Sequence, residues 1–221
     1  MRSSLNQINV NQLFPLRSKL ISTSEIRYFI EVSITTFFSY GLLYVVWLFF
    51  IISSENATGF NGSIMYIPHA ARVLTICYFG IYAVPSLFGA HLFCAIYIGR
   101  PFGISASIDT LDLIFLSLIS SITVLFALYA LAGLGFKLKT LPFYKFTKDS
   151  IYLDLRNHKH IIMVTVISAA THSCLIYVYN YVRAISSSPE IYVRFFIGDI
   201  LGTLVTIFVL SFMLFAFFRE R

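Results

Sequence analysis

The sequence predicts an all-α protein, a polytopic membrane helix bundle of about six transmembrane segments. Three observations carry that expectation. Of 221 residues, 58% are hydrophobic and 12% charged, against roughly half and a quarter in soluble domains. The apolar residues fall in long runs, and about 20 such residues cross a bilayer core. The basic residues stand between those runs, crowded into alternate connections, as the positive-inside rule expects of a membrane protein.

In chain order, residues 1–28 read as a polar cytoplasmic segment and residues 29–218 as the bundle. No short apolar stretch with a small-residue cleavage site follows the N-terminus, so the first run is expected to remain as a span. That run, 31–53, is dense in aromatics: Phe37, Phe38, Tyr40, Tyr44, Trp47, Phe49 and Phe50. Residues 112–135, 161–182 and 193–218 supply three more full-length spans. Between them, 64–98 is apolar but interrupted by Pro68, Gly80, Pro85 and Gly89. It reads as two short spans, 64–81 and 84–98, with a tight turn between them. A re-entrant pair is the alternative, because irregular backbone survives at membrane depth where protein or water covers it. Either form returns the chain to the same side. Residues 219–221 read as a cytoplasmic tail.

A net charge of +6 suits nucleic acid or anionic lipid equally. Distribution separates the two. Arg2, Arg17, Lys19 and Arg27 lie before the first span. Lys137, Lys139, Lys145, Lys148, Arg156 and Lys159 lie around the long loop, and Arg219 and Arg221 in the tail. The opposite loops hold Arg100, Arg183 and Arg194. Twelve against three puts both termini in the cytoplasm. The expected partner is the lipid bilayer, not nucleic acid. Segment 141–156 alternates lysines with Leu141, Phe143, Tyr144, Phe146 and Ile151. It suits either a stretch lying on the anionic leaflet or an ordinary juxtamembrane loop. Sequons at Asn56 and Asn61 carry no weight, since such short patterns arise by chance.

In lipid the informative residues are the ones that cost energy to place. A charge at the centre of a span costs roughly 2.5–3.5 kcal/mol. Arg72 and Asp199 both fall inside apolar segments. Counted from the outer face, Arg72 lies about 12 Å deep and Asp199 about 9 Å, within reach of each other. The pair reads in three ways. It is a structural salt bridge, an outward-facing polar pocket in which Arg72 meets a small anionic ligand and Asp199 poises it, or a pair of charges of which one or both snorkel. His69 precedes Arg72 by three positions and shares its helix face. His91 and His172 read as hydrogen-bonded packing residues, and Thr165, Ser168 and His172 as one inward face.

Small residues mark helix contacts: Gly198 with Gly202, the strip Ser86, Gly89 and Ala90, and Ser117, Ser120 and Ser121. Cys77, Cys94 and Cys174 lack metal or redox spacing and read as buried thiols. No histidine pair has metal-site spacing on a helix, so no metal or other cofactor is expected. Asp109 and Asp112 read as capping residues or as favourable charge at a helix N-terminus. There is no phosphate loop and no nucleophile motif, so no catalytic residue is assigned and no enzyme is expected.

One resemblance rests on three strings: Pro68-His69-Ala70-Ala71-Arg72-Val73, then Gly80 with Val84-Pro85-Ser86-Leu87-Phe88-Gly89-Ala90-His91, and Gly198-Asp199-Ile200-Leu201-Gly202. In these the chain resembles the membrane-associated sensor domain of the first type (MASE). The similarity spans about residues 64–218, and Pro68, Gly80, Pro85, Gly89, Asp199 and Gly202 carry over. Arg72 and His69 match no assigned family position. There are six expected segments against about eight, and Thr206-Ile207 stands where a late proline belongs. The resemblance implies a sensory module of the bacterial inner membrane. With no output domain before Arg221, signalling through a separate partner is expected. A small-solute transporter, or its substrate-binding subunit, and a structural or assembly subunit of a membrane complex are the competing readings.

Overall fold

A computed structural model of the chain describes residues 23–53, 65–104, 106, 108–136, 158–185 and 188–218. All the regular structure among them is helical. Helix α1 covers Thr23–Ser53. It starts eight residues before the apolar run 31–53. Its polar first turns hold together through an i,i+4 pair, Arg27 Nε donating to Glu31 Oε1 at 2.9 Å, a spacing that supports helix outside an apolar environment.

Helix α2, Pro68–Phe79, begins at a proline, whose missing N–H costs nothing in a first turn. It stops at Gly80, which adopts φ 61° and ψ −139°, a conformation open chiefly to glycine. A 3-10 turn, Gly80–Ala83, leads into α3, Val84–Phe93, with Pro85 in its opening turn. A π-helical turn, Cys94–Gly99, and a 3-10 turn, Arg100–Phe102, complete the segment.

Contacts along α1 give the direction of each piece. Trp47 packs on Tyr66 and Tyr28 on Tyr82, so the chain descends along α1 between these points. It then returns: Ser86 Oγ donates to Ser33 O, and His91 lies against Tyr40. Helix α2 is therefore antiparallel to α1, and α3 parallel to it. At 12 residues, α2 is about 18 Å long, short of a bilayer core of about 30 Å.

Helices α4, Thr110–Gly133, α5, His158–Val182, and α6, Pro189–Phe218, complete the bundle. Asp109 caps α4, accepting from the Thr110 N–H at 2.7 Å. Asp112 has another role: it accepts from Tyr179 and pairs with Arg183 at 3.1 Å, tying α4 to the end of α5. Contacts between Phe136 and His160 at one end and Asp112 and Tyr179 at the other make α4 and α5 antiparallel. Tyr177 against Tyr192 and His172 against Asp199 do the same for α5 and α6. Among the described residues, five helical runs are long and apolar enough to cross a membrane, with Pro68–Phe102 counted once.

The surface is apolar and the interior contains much of the polar chemistry. Phe38, Phe49, Phe126 and Phe208 are exposed, while Thr36, Ser117, Thr123, Ser168 and Thr203 are fully buried. Such an exterior has lipid as its natural solvent. Cys94 is buried but Cys174 is exposed, because its position on α5 faces outward. Gly89 also departs from expectation: a Cβ there would meet nothing within 4 Å, so no close approach depends on it. Gly202 is different. A Cβ on it would collide with the Tyr66 carbonyl and approach Ile67 N to 2.7 Å, and Tyr66 N–H donates to Gly198 O at 2.8 Å. The Gly198/Gly202 pair thus seats the backbone that enters α2, not a second helix. The long loop at 141–156, both sequons and the tail at 219–221 lie outside the described residues.

Candidate functional site: a buried Arg–His–Asp cluster

The seating of Tyr66 on α6 fixes where α2 starts, and so where its first turns point. His69 and Arg72, one turn apart, both face inward and are at most 1% exposed. From α6 the fully buried Asp199 meets them, and Thr203 Oγ1 donates to the Asp199 backbone carbonyl. Helix α5 brings Ser168 and His172, and α4 brings Ser120. All are buried. The three sequence-predicted site residues therefore come together, joined by residues that sequence reasoning read as helix packing.

Asp199 is the hub. Its Oδ2 accepts from His172 Nδ1 at 2.7 Å, and Oδ1 accepts from an Arg72 terminal nitrogen at 3.4 Å. His69 Nδ1 faces the same Oδ2 at 3.4 Å without forming a hydrogen bond. The other Arg72 terminal nitrogen reaches Ser120 O at 3.4 Å and His172 Nε2 at 3.5 Å. The guanidinium carbon stands 5.2 Å from the centre of the Tyr66 ring, a cation–π distance.

The partners assign the tautomers. A guanidinium only donates, so His172 Nε2 is the bare nitrogen and Nδ1–H donates to Asp199. Ser120 Oγ, 3.1 Å from Nε2, is the donor in that contact. For His69 the reverse holds. Ser168 donates its one hydroxyl hydrogen to Thr165 O at 3.0 Å. Its oxygen can only accept from His69 Nε2, 3.1 Å away. Neutral His69 therefore carries its hydrogen on Nε2 and turns a bare Nδ1 towards a carboxylate oxygen.

With both imidazoles neutral, the cluster balances one guanidinium against one carboxylate. It is also incompletely satisfied. Among the described residues, His69 Nδ1 and Arg72 Nε lack hydrogen-bond partners, and every hydrogen bond made by Arg72 is 3.4 Å or longer. Ordinary N–H···O bonds centre near 2.9–3.0 Å and charge-assisted ones are shorter. Ser120, His172 and Asp199 follow the contact order of a nucleophilic triad. Arg72, however, donates to the nitrogen a general base would use, and its charge opposes the imidazolium that must form there. Ser120 is 3% exposed.

Nearby, His91 Nδ1 lies 2.8 Å from Ser117 Oγ, so each of these three histidines meets a serine on another helix. Among the described residues no group of three or more His, Cys, Asp or Glu side chains is disposed to hold a metal ion. Compared with family models, curated proteins and solved structures, the chain matches none.

Proposed function

We propose that this protein is a non-catalytic, ligand-binding sensory module of a membrane, and that its ligand is a small anion received by Arg72. The observation that carries the reading is the unfilled donor capacity of Arg72. A buried guanidinium offers five N–H donors in a fixed fork. Among the described residues this one makes only long contacts and leaves Nε unpartnered. A planar carboxylate or a phosphate group fits such a fork in a bidentate manner. The ligand takes the place of Asp199 on Arg72, and the α2–α6 contact is what it alters. A sensor needs such a bistable contact.

Three further points support this reading. Loop charge favours an arrangement of six crossings, with α2 and α3 as a short hairpin and both termini cytoplasmic. Arg72 then lies one turn below the outer end of α2. The resemblance to membrane-associated sensor domains adds the bacterial inner membrane and a separate signalling partner. Its Pro68 and Gly80 stand at the two ends of α2, and its Asp199 is the hub of the cluster.

Thermal unfolding of the purified protein in detergent, with acetate, succinate, phosphate and sulfate, tests the proposal. At least one anion is expected to raise the midpoint in the wild type and not in Arg72→Ala or Asp199→Ala. Equal stabilisation of the variants would refute it. The break at Gly80, midway along an apolar segment, favours a second reading, a small-solute carrier, because carriers build their sites on interrupted helices. Uptake of the stabilising anion into proteoliposomes separates the two, since a sensor moves none.

A further inference from the structure

Binding an anion at Arg72 would leave the Asp199 carboxylate without its cation, and a buried unpaired charge is strongly unfavourable. The cluster contains a group placed to replace that cation. Neutral His69 points a bare Nδ1 at Asp199 Oδ2 from 3.4 Å, two acceptors face to face with no hydrogen between them. One proton on Nδ1 makes this contact an ion pair, and a small shift of the ring towards Oδ2 makes it a charge-assisted hydrogen bond. The other ring nitrogen is already held, because Nε2–H donates to Ser168.

We propose that the site binds its anion together with one proton, which is held on His69 Nδ1 against Asp199. The inference rests on the anion reading and adds the linkage. Its charge balance closes: before binding, Arg72 pairs with Asp199; afterwards, Arg72 pairs with the anion and His69 with Asp199. The buried cluster stays neutral for a monovalent anion. The proton comes from solvent, and no bond is made or broken in the ligand.

The surroundings single out His69. His172 has no vacancy, since its Nδ1–H is given to Asp199 and its Nε2 receives Arg72 and Ser120. His91, from α3, is held by Ser117. The groups whose charges bear on His69 are Asp199 from α6, His172 from α5 and Arg72 from its own helix. From α1 the nearby titratable group is Tyr40, bonded to Tyr66. Burial opposes a charge on His69 first of all and the like charge of Arg72 adds to it, and an anion on Arg72 offsets the Arg72 part. Anion and proton thus favour each other, and by linkage each raises the affinity for the other equally.

The test uses full-length protein in detergent micelles, weakly buffered, with a pH-indicator dye and pH-matched acetate as the probe. Saturable binding with uptake of about one proton per acetate is expected, falling to none in His69→Gln. Acetate binding without proton uptake overturns the linkage and leaves the anion site standing. Uptake unchanged in His69→Gln overturns the assignment to His69. Absence of saturable binding by acetate removes the anion reading and the linkage with it. Should His69→Gln not fold, nitrogen NMR of wild-type histidines decides: one imidazole with a bare Nδ1 must become doubly protonated on adding acetate, and an unchanged spectrum at saturation contradicts the proposal.

Discussion

The Tyr66 carbonyl occupies the space that a side chain on Gly202 would need. This contact locks the start of α2 to α6 and so sets the register in which Arg72 and His69 meet Asp199. Gly202→Ala has to push that backbone away. It is expected to cost about 1–3 kcal/mol, as overpacking does, and to weaken the cluster with it. Gly89→Ala meets open space and removes a flexible residue from a helix, so it is expected to be neutral or to stabilise by up to about 1 kcal/mol. Unfolding of the two variants side by side in detergent checks the contrast.

Arg72 and Asp199 should behave as a unit. Removing either alone strands the other as a buried charge, with an expected loss of about 3–5 kcal/mol for Asp199→Ala or Arg72→Ala. The double replacement Arg72→Met with Asp199→Leu strands neither. Its cost is expected to fall well below the sum of the singles, a coupling that a double-mutant cycle measures directly. Additive losses would mean that the two side chains do not depend on each other.

The serines that meet histidines are expected to matter less. Hydrogen bonds between membrane helices average about 0.6 kcal/mol and reach about 1.7. Ser120→Ala and Ser168→Ala should each fall in that range by equilibrium unfolding. Of the two, Ser168→Ala carries the clearer signature: it releases His69 Nε2, so that His69 is free to switch its hydrogen to Nδ1. Nitrogen NMR of the histidines then reports the change of tautomer.

The pair formed by Asp112 and Arg183 offers an internal comparison. The Arg183 side chain is 46% exposed, and such pairs contribute about 0–1 kcal/mol and weaken with salt. Asp112→Asn should therefore lie far below Asp199→Ala in cost, with an effect that shrinks as ionic strength rises. Thermal unfolding at low and high salt tests it.

Much of this was legible in the sequence for one physical reason: lipid makes charge placement expensive. Arg72 and Asp199 stood out because each interrupts an apolar run, and depth along a helix sufficed to pair them. Pro68 and Gly80 marked the ends of α2 because their backbones permit little else. Helix ends were less legible. Helix α1 continues into polar sequence through Arg27 and Glu31, and α6 starts at Pro189, so both helices extend beyond the apolar runs that hydropathy marks. The roles of Ser120 and Ser168 were hidden, since a small residue on a membrane helix looks the same whether it packs against a neighbour or bonds to a histidine. Only the rotation of α4 and α5 about their axes separates these roles. Likewise Gly198 and Gly202 signalled close approach but not its partner, a stretch of backbone.

The most direct test of the anion site uses the protein's own reporter. Trp47 is the single tryptophan; its ring lies 4.9 Å from that of Tyr66, and Tyr66 in turn faces Arg72. Emission from Trp47 should change saturably as acetate or phosphate is titrated into wild-type protein in detergent, and Arg72→Gln should abolish that change. A wild-type emission that stays flat with both anions, or a titration curve that Arg72→Gln leaves unaltered, would contradict the account.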